Sequence, residues 1–209
     1  ERTLLLAGVS HDLRTPLARL RLAIELLPDE QCAAYKEGMV QDIADMDGII
    51  NQFLDFVRGI EGEPAQMVDL NELLKSLYER HVRSGRKLTL KLAATHLIAL
   101  RPLAMQRLLG NLIDNAFAYG KGEVILATKI EAEYILVSVM DNGPGIPDGQ
   151  KARLLRPFER LDTARGNTKG SGLGLAICDR IAKLHKGKLD LVNRPEGGLE
   201  VRLTLPLNN

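Results

Sequence analysis

Between Leu6 and Leu27 the apolar residues fall at 6, 9, 13, 17, 20, 24 and 27. Steps of three and four keep such residues on one face of an α-helix, so the pattern predicts a long amphipathic helix. Pro28 and Asp29 break it. A second run, Met39, Ile43, Met46, Ile50, Phe53 and Val57, alternates steps of four and three, the spacing of a heptad seam. Gly59 and Gly62-Glu63-Pro64 close that run. The segment 1–62 is therefore expected to be a helical hairpin. A hairpin this narrow leaves both apolar stripes partly uncovered, and pairing with a second copy into a four-helix bundle covers them.

Beyond residue 64 the periodicity changes. Asp69-Leu70-Asn71-Glu72 resembles a capping box opening a helix to about Ser84. Lys87 to Ala93 alternates like a strand, and Leu97 to Leu100 reads as another. Pro102 suits the first turn of a helix reaching Tyr119. Glu123 to Ile130 and Tyr134 to Met140 are apolar strands joined by a short turn. Asp141 to Gly172 is rich in glycine and charge, Leu173 to His185 is helical, and Lys186-Gly187 stops that helix. Lys188 to Val192 and Leu199 to Leu205 are strands flanking the turn signal Glu196-Gly197-Gly198. Residues 67–209 are expected to form an α/β domain whose strands are mostly joined as hairpins.

Composition narrows the function classes. With 28 Lys and Arg against 27 Asp and Glu, the chain has no charge excess suited to nucleic acid, and none is expected as a partner. Aromatics are 4% and Trp is absent, so the core must be built from Leu, Ile, Val and Ala. Cys32 and Cys178 are far apart and are expected to be reduced, with no disulfide or zinc. No apolar run approaches membrane-spanning length. The chain enters a periodic segment at once, so it reads as the soluble, cytoplasmic piece of a longer protein.

Several residues carry candidate chemistry. His11, at about 100° per residue, points away from the Leu13/Leu17/Leu20 stripe, and Thr15 lies one turn further on the same exposed side. Asp12 is placed to orient or deprotonate an imidazole, and Pro16 removes a helical hydrogen bond beside it. Asn111 and Asn115 are one turn apart at the edge of an apolar helix face, where carboxamide oxygens suit a hard cation. Asp141-Asn142-Gly143-Pro144-Gly145-Ile146 follows an apolar strand. Its aspartate can accept from an amino group such as that of adenine, and its glycines permit close backbone approach. Gly170-Ser171-Gly172-Leu173-Gly174-Leu175 runs into a helix, and exposed N–H groups there suit phosphate. It follows a long loop rather than a strand, unlike a Rossmann or Walker site.

Ser10-His11-Asp12-Leu13-Arg14-Thr15-Pro16-Leu17 resembles the H-box of sensor histidine kinases of two-component systems, and with Leu6-Ala7-Gly8-Val9 it is most similar to EnvZ-type osmosensor kinases. Asn111 to Asn115 resembles the N-box, Asp141 to Ile146 the G1 box, Pro157-Phe158 the F-box and Gly170 to Leu175 the G2 box of the Bergerat, or GHKL, ATP-binding fold. The resemblance implies a cytoplasmic catalytic core that uses ATP and Mg²⁺. It makes His11 the phosphoacceptor, Asp12 its acid/base partner and Thr15 the positioner of water for a phosphatase reaction. It makes Asn115 a Mg²⁺ ligand with Asn111 beside it. Asp141 would read adenine, and Tyr119, Gly143, Gly145, Ile146, Phe158, Gly170, Ser171, Gly172, Leu173 and Gly174 would line the nucleotide. Arg160, Arg165 and Lys169 fall in the ATP lid. The implied partners are a second copy and the receiver domain of a response regulator, and the implied parent sits at the cytoplasmic face of the bacterial inner membrane. One position departs: many relatives carry Lys or Arg where this chain has Ala118, leaving Lys121 or a lid residue to supply the cation. A degenerate kinase serving as a dimeric scaffold is the alternative that Ala118 raises.

The seam generates one prediction: the isolated segment 1–62 sediments as a helical dimer and accepts phosphate when residues 67–209 are supplied separately. A monomeric fragment of low helicity by circular dichroism would contradict it.

Overall fold

The structure, a computed structural model, describes residues 62–93, 97–161 and 172–207, with 17–18, 20–22, 24–25, 36–41, 43–44, 46–48 and 50. The chain divides between Glu61 and Gly62 into two compact units.

In the first unit the described residues within 17–25 (α1) and 36–50 (α2) are helical. Leu17, Ile24 and Ile43 form its buried cluster, with Val40 and Ile50 packed on it. The spacing of seven in Leu17/Ile24 and Ile43/Ile50 returns each side chain to nearly the same helix face. Leu20, Met39 and Met46, which the periodicity assigns to the same stripes, remain 53%, 46% and 51% exposed. His11, Asp12, Thr15 and Pro16 lie outside the described residues.

The second unit runs β1 (Gln66–Asp69), α3 (Leu70–Arg83), β2 (Lys87–Lys91), β3 (Leu97–Leu100), α4 (Pro102–Tyr119), β4 (Glu123–Glu131), β5 (Tyr134–Met140), α5 (Lys151–Leu154), α6 (Gly174–Leu184), β6 (Lys188–Asn193) and β7 (Leu199–Pro206). Five strands form one mixed sheet in the order β2-β4-β5-β7-β6, while β1 and β3 pair separately. The hairpin expectation holds for β4–β5 and β6–β7, which are antiparallel. β2 departs from it by joining β4 in parallel, across a connection that contains β3 and α4. Alternate strand residues, among them Val124, Leu126, Ile135, Val137, Val139, Val201, Leu203 and Leu205, are buried beneath α3, α4 and α6. Each such side chain contributes about 1.5–3 kcal/mol on leaving water.

Two elements had no sequence signal. β1 is four residues long and exists through its pairing with β3, Val68 opposite Ile98. α5 is a single turn inside the glycine-rich region. The capping box is half formed: Asp69 Oδ1 accepts from the N–H of Asn71 at 2.9 Å, but Glu72 turns to Lys75 Nζ at 2.7 Å.

The ends of α4 are fixed by residues distant in sequence. Glu63, in the stretch that closes the second apolar run, accepts from the N–H of Leu103 at 2.7 Å and of Ala104 at 3.0 Å. A carboxylate there also meets the positive end of the helix dipole. His185, at the C-terminal end of α6, is buried, and its Nε2 accepts from the N–H of Arg101 at 3.0 Å. A backbone N–H can only donate, so the proton of neutral His185 sits on Nδ1, which donates to the Ile181 carbonyl at 2.8 Å. Burial holds the His185 pKa below its ordinary 6.5, against the opposing bond to Ile181. His81 is shifted the same way, again chiefly by burial.

Because these folded-state pKa values lie below 6.5, the unfolded chain takes up protons first. Their stabilisation is complete above pH 6.5 and is lost as pH falls below it. We expect thermal unfolding of the second unit to move down between about pH 7 and 5.5. His185→Leu is expected to cost about 1–3 kcal/mol at neutral pH by stranding the Arg101 N–H, and to flatten that pH dependence. A variant with the parent slope would place the titration elsewhere.

Candidate functional site

α4 buries Leu108, Leu109, Leu112, Ile113 and Ala116 and leaves Asn111 and Asn115 half-buried on its flank. Across that flank lies the first turn of α6. A Cβ on Gly174 would stand 3.6 Å from Asn115 Nδ2 and 3.9 Å from its Oδ1, so α6 starts against the Asn115 carboxamide. Asn111 meets the fully buried Cys178 of α6, whose thiol also donates to the Leu108 carbonyl at 3.4 Å. Burial pushes the Cys178 thiol far up, with the Asn111 hydrogen bond opposing. Asn111 thus lies beside the α4–α6 contact, a neighbourhood that the spacing of the two asparagines did not reveal.

Asp141, at the end of β5, is 5% exposed. Its Oδ1 accepts from the N–H of Gly143 at 2.7 Å and of Leu199 at 3.3 Å. Among the described residues no donor meets its Oδ2. Gly143 was expected to let a ligand approach, and the structure gives it another duty. A Cβ there would lie 2.5 Å from the Tyr119 carbonyl and 3.2 Å from Gly120 Cα. The end of α4 therefore seats directly on the loop after β5.

The β6–β7 turn supplies residues that the sequence reading treated only as a chain reversal. Asn193 Oδ1 accepts from the Ile146 N–H at 2.9 Å, and its Nδ2 donates to the Ile146 carbonyl at 2.8 Å. Arg194 Nη1 donates to the Asp141 carbonyl and to Asn142 Oδ1, both at 2.9 Å. Gly198, at φ 97°, leaves room for the Asp141 carbonyl only because it has no Cβ: one would sit 2.0 Å from that oxygen. Gly145, Ile146, Pro147, Leu161 and Asn193 help line an open cleft of about 410 Å³ beside this loop.

Phe158 and Gly172 are brought together. The Phe158 N–H donates to the Gly172 carbonyl at 3.0 Å, and a Cβ on Gly172 (φ 72°) would meet the Phe158 carbonyl carbon at 2.8 Å. The Phe158 ring is 61% exposed and its backbone lies at φ 65°. Arg153 braces the next residues, pairing with Glu159 at 2.9 Å and donating to the Arg160 carbonyl at 3.0 Å. The side chain of Leu173, a residue grouped with the expected nucleotide contacts, is fully buried in the core. Tyr119 is 40% exposed, and Ala118 and Lys121 are exposed. Arg165, Lys169, Gly170 and Ser171 lie outside the described residues.

Residues 101–209 match the family of Histidine kinase-, DNA gyrase B-, and HSP90-like ATPases. Residues 1–62 match the His Kinase A (phospho-acceptor) domain. The sensor histidine kinase GtrS of Pseudomonas aeruginosa is 39% identical over 207 residues, 99% of this chain and 42% of that protein. The crystal structure of full-length ShkA in complex with AMPPNP superposes with a TM-score of 0.80 at 25% identity, covering 99% of this chain and 46% of ShkA. The histidine kinase domain of the Escherichia coli osmosensor EnvZ is 35% identical with a TM-score of 0.55, covering 68% of this chain and 89% of that domain. This chain thus spans less than half the length of GtrS and of ShkA. Its mixed α/β sheet, its ordered boxes and these matches together make it a member of the sensor histidine kinases, with a phospho-acceptor domain followed by a GHKL-type ATPase domain.

Proposed function

We propose that the chain is the catalytic core of a dimeric sensor histidine kinase that transfers the γ-phosphoryl group of ATP to His11 and then to an aspartate of a response regulator. One observation carries the reading: segments separated in the chain close on one another, Gly174 against Asn115, Gly143 against Tyr119 and Phe158 against Gly172. Such convergence suits a nucleotide, whose base, sugar and phosphates need different partners.

The roles follow from the chemistry of each group. Asp141 Oδ2 accepts from the exocyclic amino group of adenine. Asn115 offers a hard carboxamide oxygen on a half-buried helix flank, which fits Mg²⁺, a cation that takes few protein ligands and completes its shell with phosphate and water. Mg²⁺ neutralises charge on the phosphates when bound. The N-terminal turn of α6 and the segment before it present N–H groups to phosphate. Lys121, just past α4, or a lid residue stands in for the cation missing at Ala118. At His11 a ring nitrogen forms the new N–P bond as the bond from the γ-phosphorus to the bridging oxygen breaks, and Asp12 takes the ring proton. Thr15 holds the water that hydrolyses the regulator's acyl phosphate, releasing the free aspartate and inorganic phosphate.

The exposed Leu20, Met39 and Met46 beside the buried Ile43 and half-buried Ile50 support pairing with a second copy. No helix among the described residues is long and apolar enough to cross a membrane, and placement at the cytoplasmic face of the bacterial inner membrane belongs to the longer sensor. The kinship with EnvZ-type osmosensors rests on the H-box context and on the EnvZ kinase domain among the structural neighbours.

Incubation of His11→Ala with γ-labelled ATP and Mg²⁺ is expected to give no acid-labile, base-stable label, while calorimetry finds the parent's ATP affinity. Label retained on that variant would remove His11 from the reaction. Asn115→Ala is expected to weaken Mg-ATP binding by about tenfold or more while thermal stability changes by less than about 1 kcal/mol. Equal affinity of parent and variant across a Mg²⁺ titration would rule out the ligand role.

A further inference from the structure

The loop from Asn142 to Gly149 forms no strand pairing of its own, and two of its residues, Pro144 and Pro147, have no N–H to offer. A ligand that settled on an unsupported loop would have to order it, at a cost in affinity. The β6–β7 turn supplies the missing support. The Asn193 carboxamide engages both the N–H and the C=O of Ile146, as a neighbouring strand would. Gly145, at φ 72°, fits beneath it, since a Cβ would lie 2.8 Å from Asn193 Oδ1. Arg194 grips the other end of the loop at the Asp141 carbonyl and the Asn142 side chain. Its own side chain is 14% exposed and its second amino group is held by Glu196 at 2.6 Å.

The manner of the Arg194 contact is informative. An arginine beside an aspartate ordinarily forks onto the carboxylate. Here the guanidinium takes the main-chain carbonyl instead, and Asp141 Oδ1 is held by backbone N–H groups. The Cα–Cβ direction of Asp141 is thereby fixed while Oδ2 stays open to a donor.

We propose that Asn193 and Arg194 are positioning residues for nucleotide recognition: they hold Asp141 and the Gly145–Ile146 backbone in the binding arrangement before ATP arrives. The proposal rests on the reading of Asp141 as the acceptor of the adenine amino group. A purely structural role, in which the two residues only stabilise the hairpin, predicts equal effects on every nucleotide together with a lower melting temperature.

The test uses the whole chain and measures Kd by calorimetry for Mg-ATP, and by competition for purine riboside triphosphate, which lacks the amino group. Asn193→Ala and Arg194→Ala are each expected to weaken ATP binding about tenfold, the loss of one or two well-placed hydrogen bonds. They should weaken the amino-free nucleotide less. Arg194→Lys, which still reaches the carbonyl, is expected to recover most of the ATP affinity. Asn193 is an exposed side chain, so its alanine variant carries the test if Arg194→Ala does not fold. Equal weakening for both nucleotides, or parent-like ATP affinity in the alanine variants, would overturn the proposal. Asp141→Asn separates the layers. If it leaves ATP affinity unchanged, the adenine reading falls and the positioning role with it. If it weakens ATP while Asn193→Ala and Arg194→Ala do not, only the positioning role falls.

Discussion

A carboxylate buried at a strand end must be given donors, and satisfying Asp141 organises the loop after β5 together with its contacts to β7 and the end of α4. The antiparallel register that pairs Met140 with Glu200 brings the next residues together, so that the Asp141 N–H donates to the Leu199 carbonyl at 2.9 Å and Oδ1 receives the Leu199 N–H. The same oxygen then closes a short turn onto Gly143, and Gly143 and Gly120 are the residues on which α4 ends. A larger residue at 143, 145 or 198 would collide with main-chain or side-chain atoms already in place. The glycines of this region therefore serve close backbone packing first, and the opening they leave is shaped by that packing.

α4 is the second organising element because one helix serves two purposes. Its apolar stripe is core, and its flank toward α6 carries Asn111 and Asn115. The two asparagines divide the labour. Asn111 lies beside the Cys178 thiol at the α4–α6 contact, whereas Asn115 lies against Gly174 at the start of α6. The opposite flank is held differently, by Arg86, which pairs with Asp114 at 2.6 Å and stacks 5.0 Å over the Phe117 ring. A helix braced on both sides presents its boundary residues in a fixed direction, which a metal or phosphate site requires.

The N-terminal end of α4 shows how neutral and charged groups are used together. Glu63 supplies charge where the helix dipole is positive, and His185 stays neutral where a backbone N–H needs an acceptor. Burial settles the protonation state of the histidine, and the fixed polarity of the Arg101 N–H settles its tautomer.

Much of this was legible in one dimension. The 3.6-residue periodicity of α4 and α6 and the apolar runs of β4 and β5 are local properties, and the structure returns them within a residue or two. Glycine-rich segments with Asp141, Asn111 and Asn115 were also visible, because chemistry-bearing residue types at short spacing are written in the chain. Three things were not. β1 and the parallel placement of β2 depend on partners far along the sequence. Glu63, His185, Asn193 and Arg194 look like ordinary polar residues of turns and helix ends, and they acquire roles only where folding sets a distant backbone group beside them. The reason Gly143 and Gly198 must be glycine is likewise a distance between strangers in sequence. Local sequence determined which elements form, because periodicity and propensity act over a few residues. Tertiary structure alone decided which polar groups meet, because a hydrogen bond is satisfied by whatever partner the fold brings within about 3 Å.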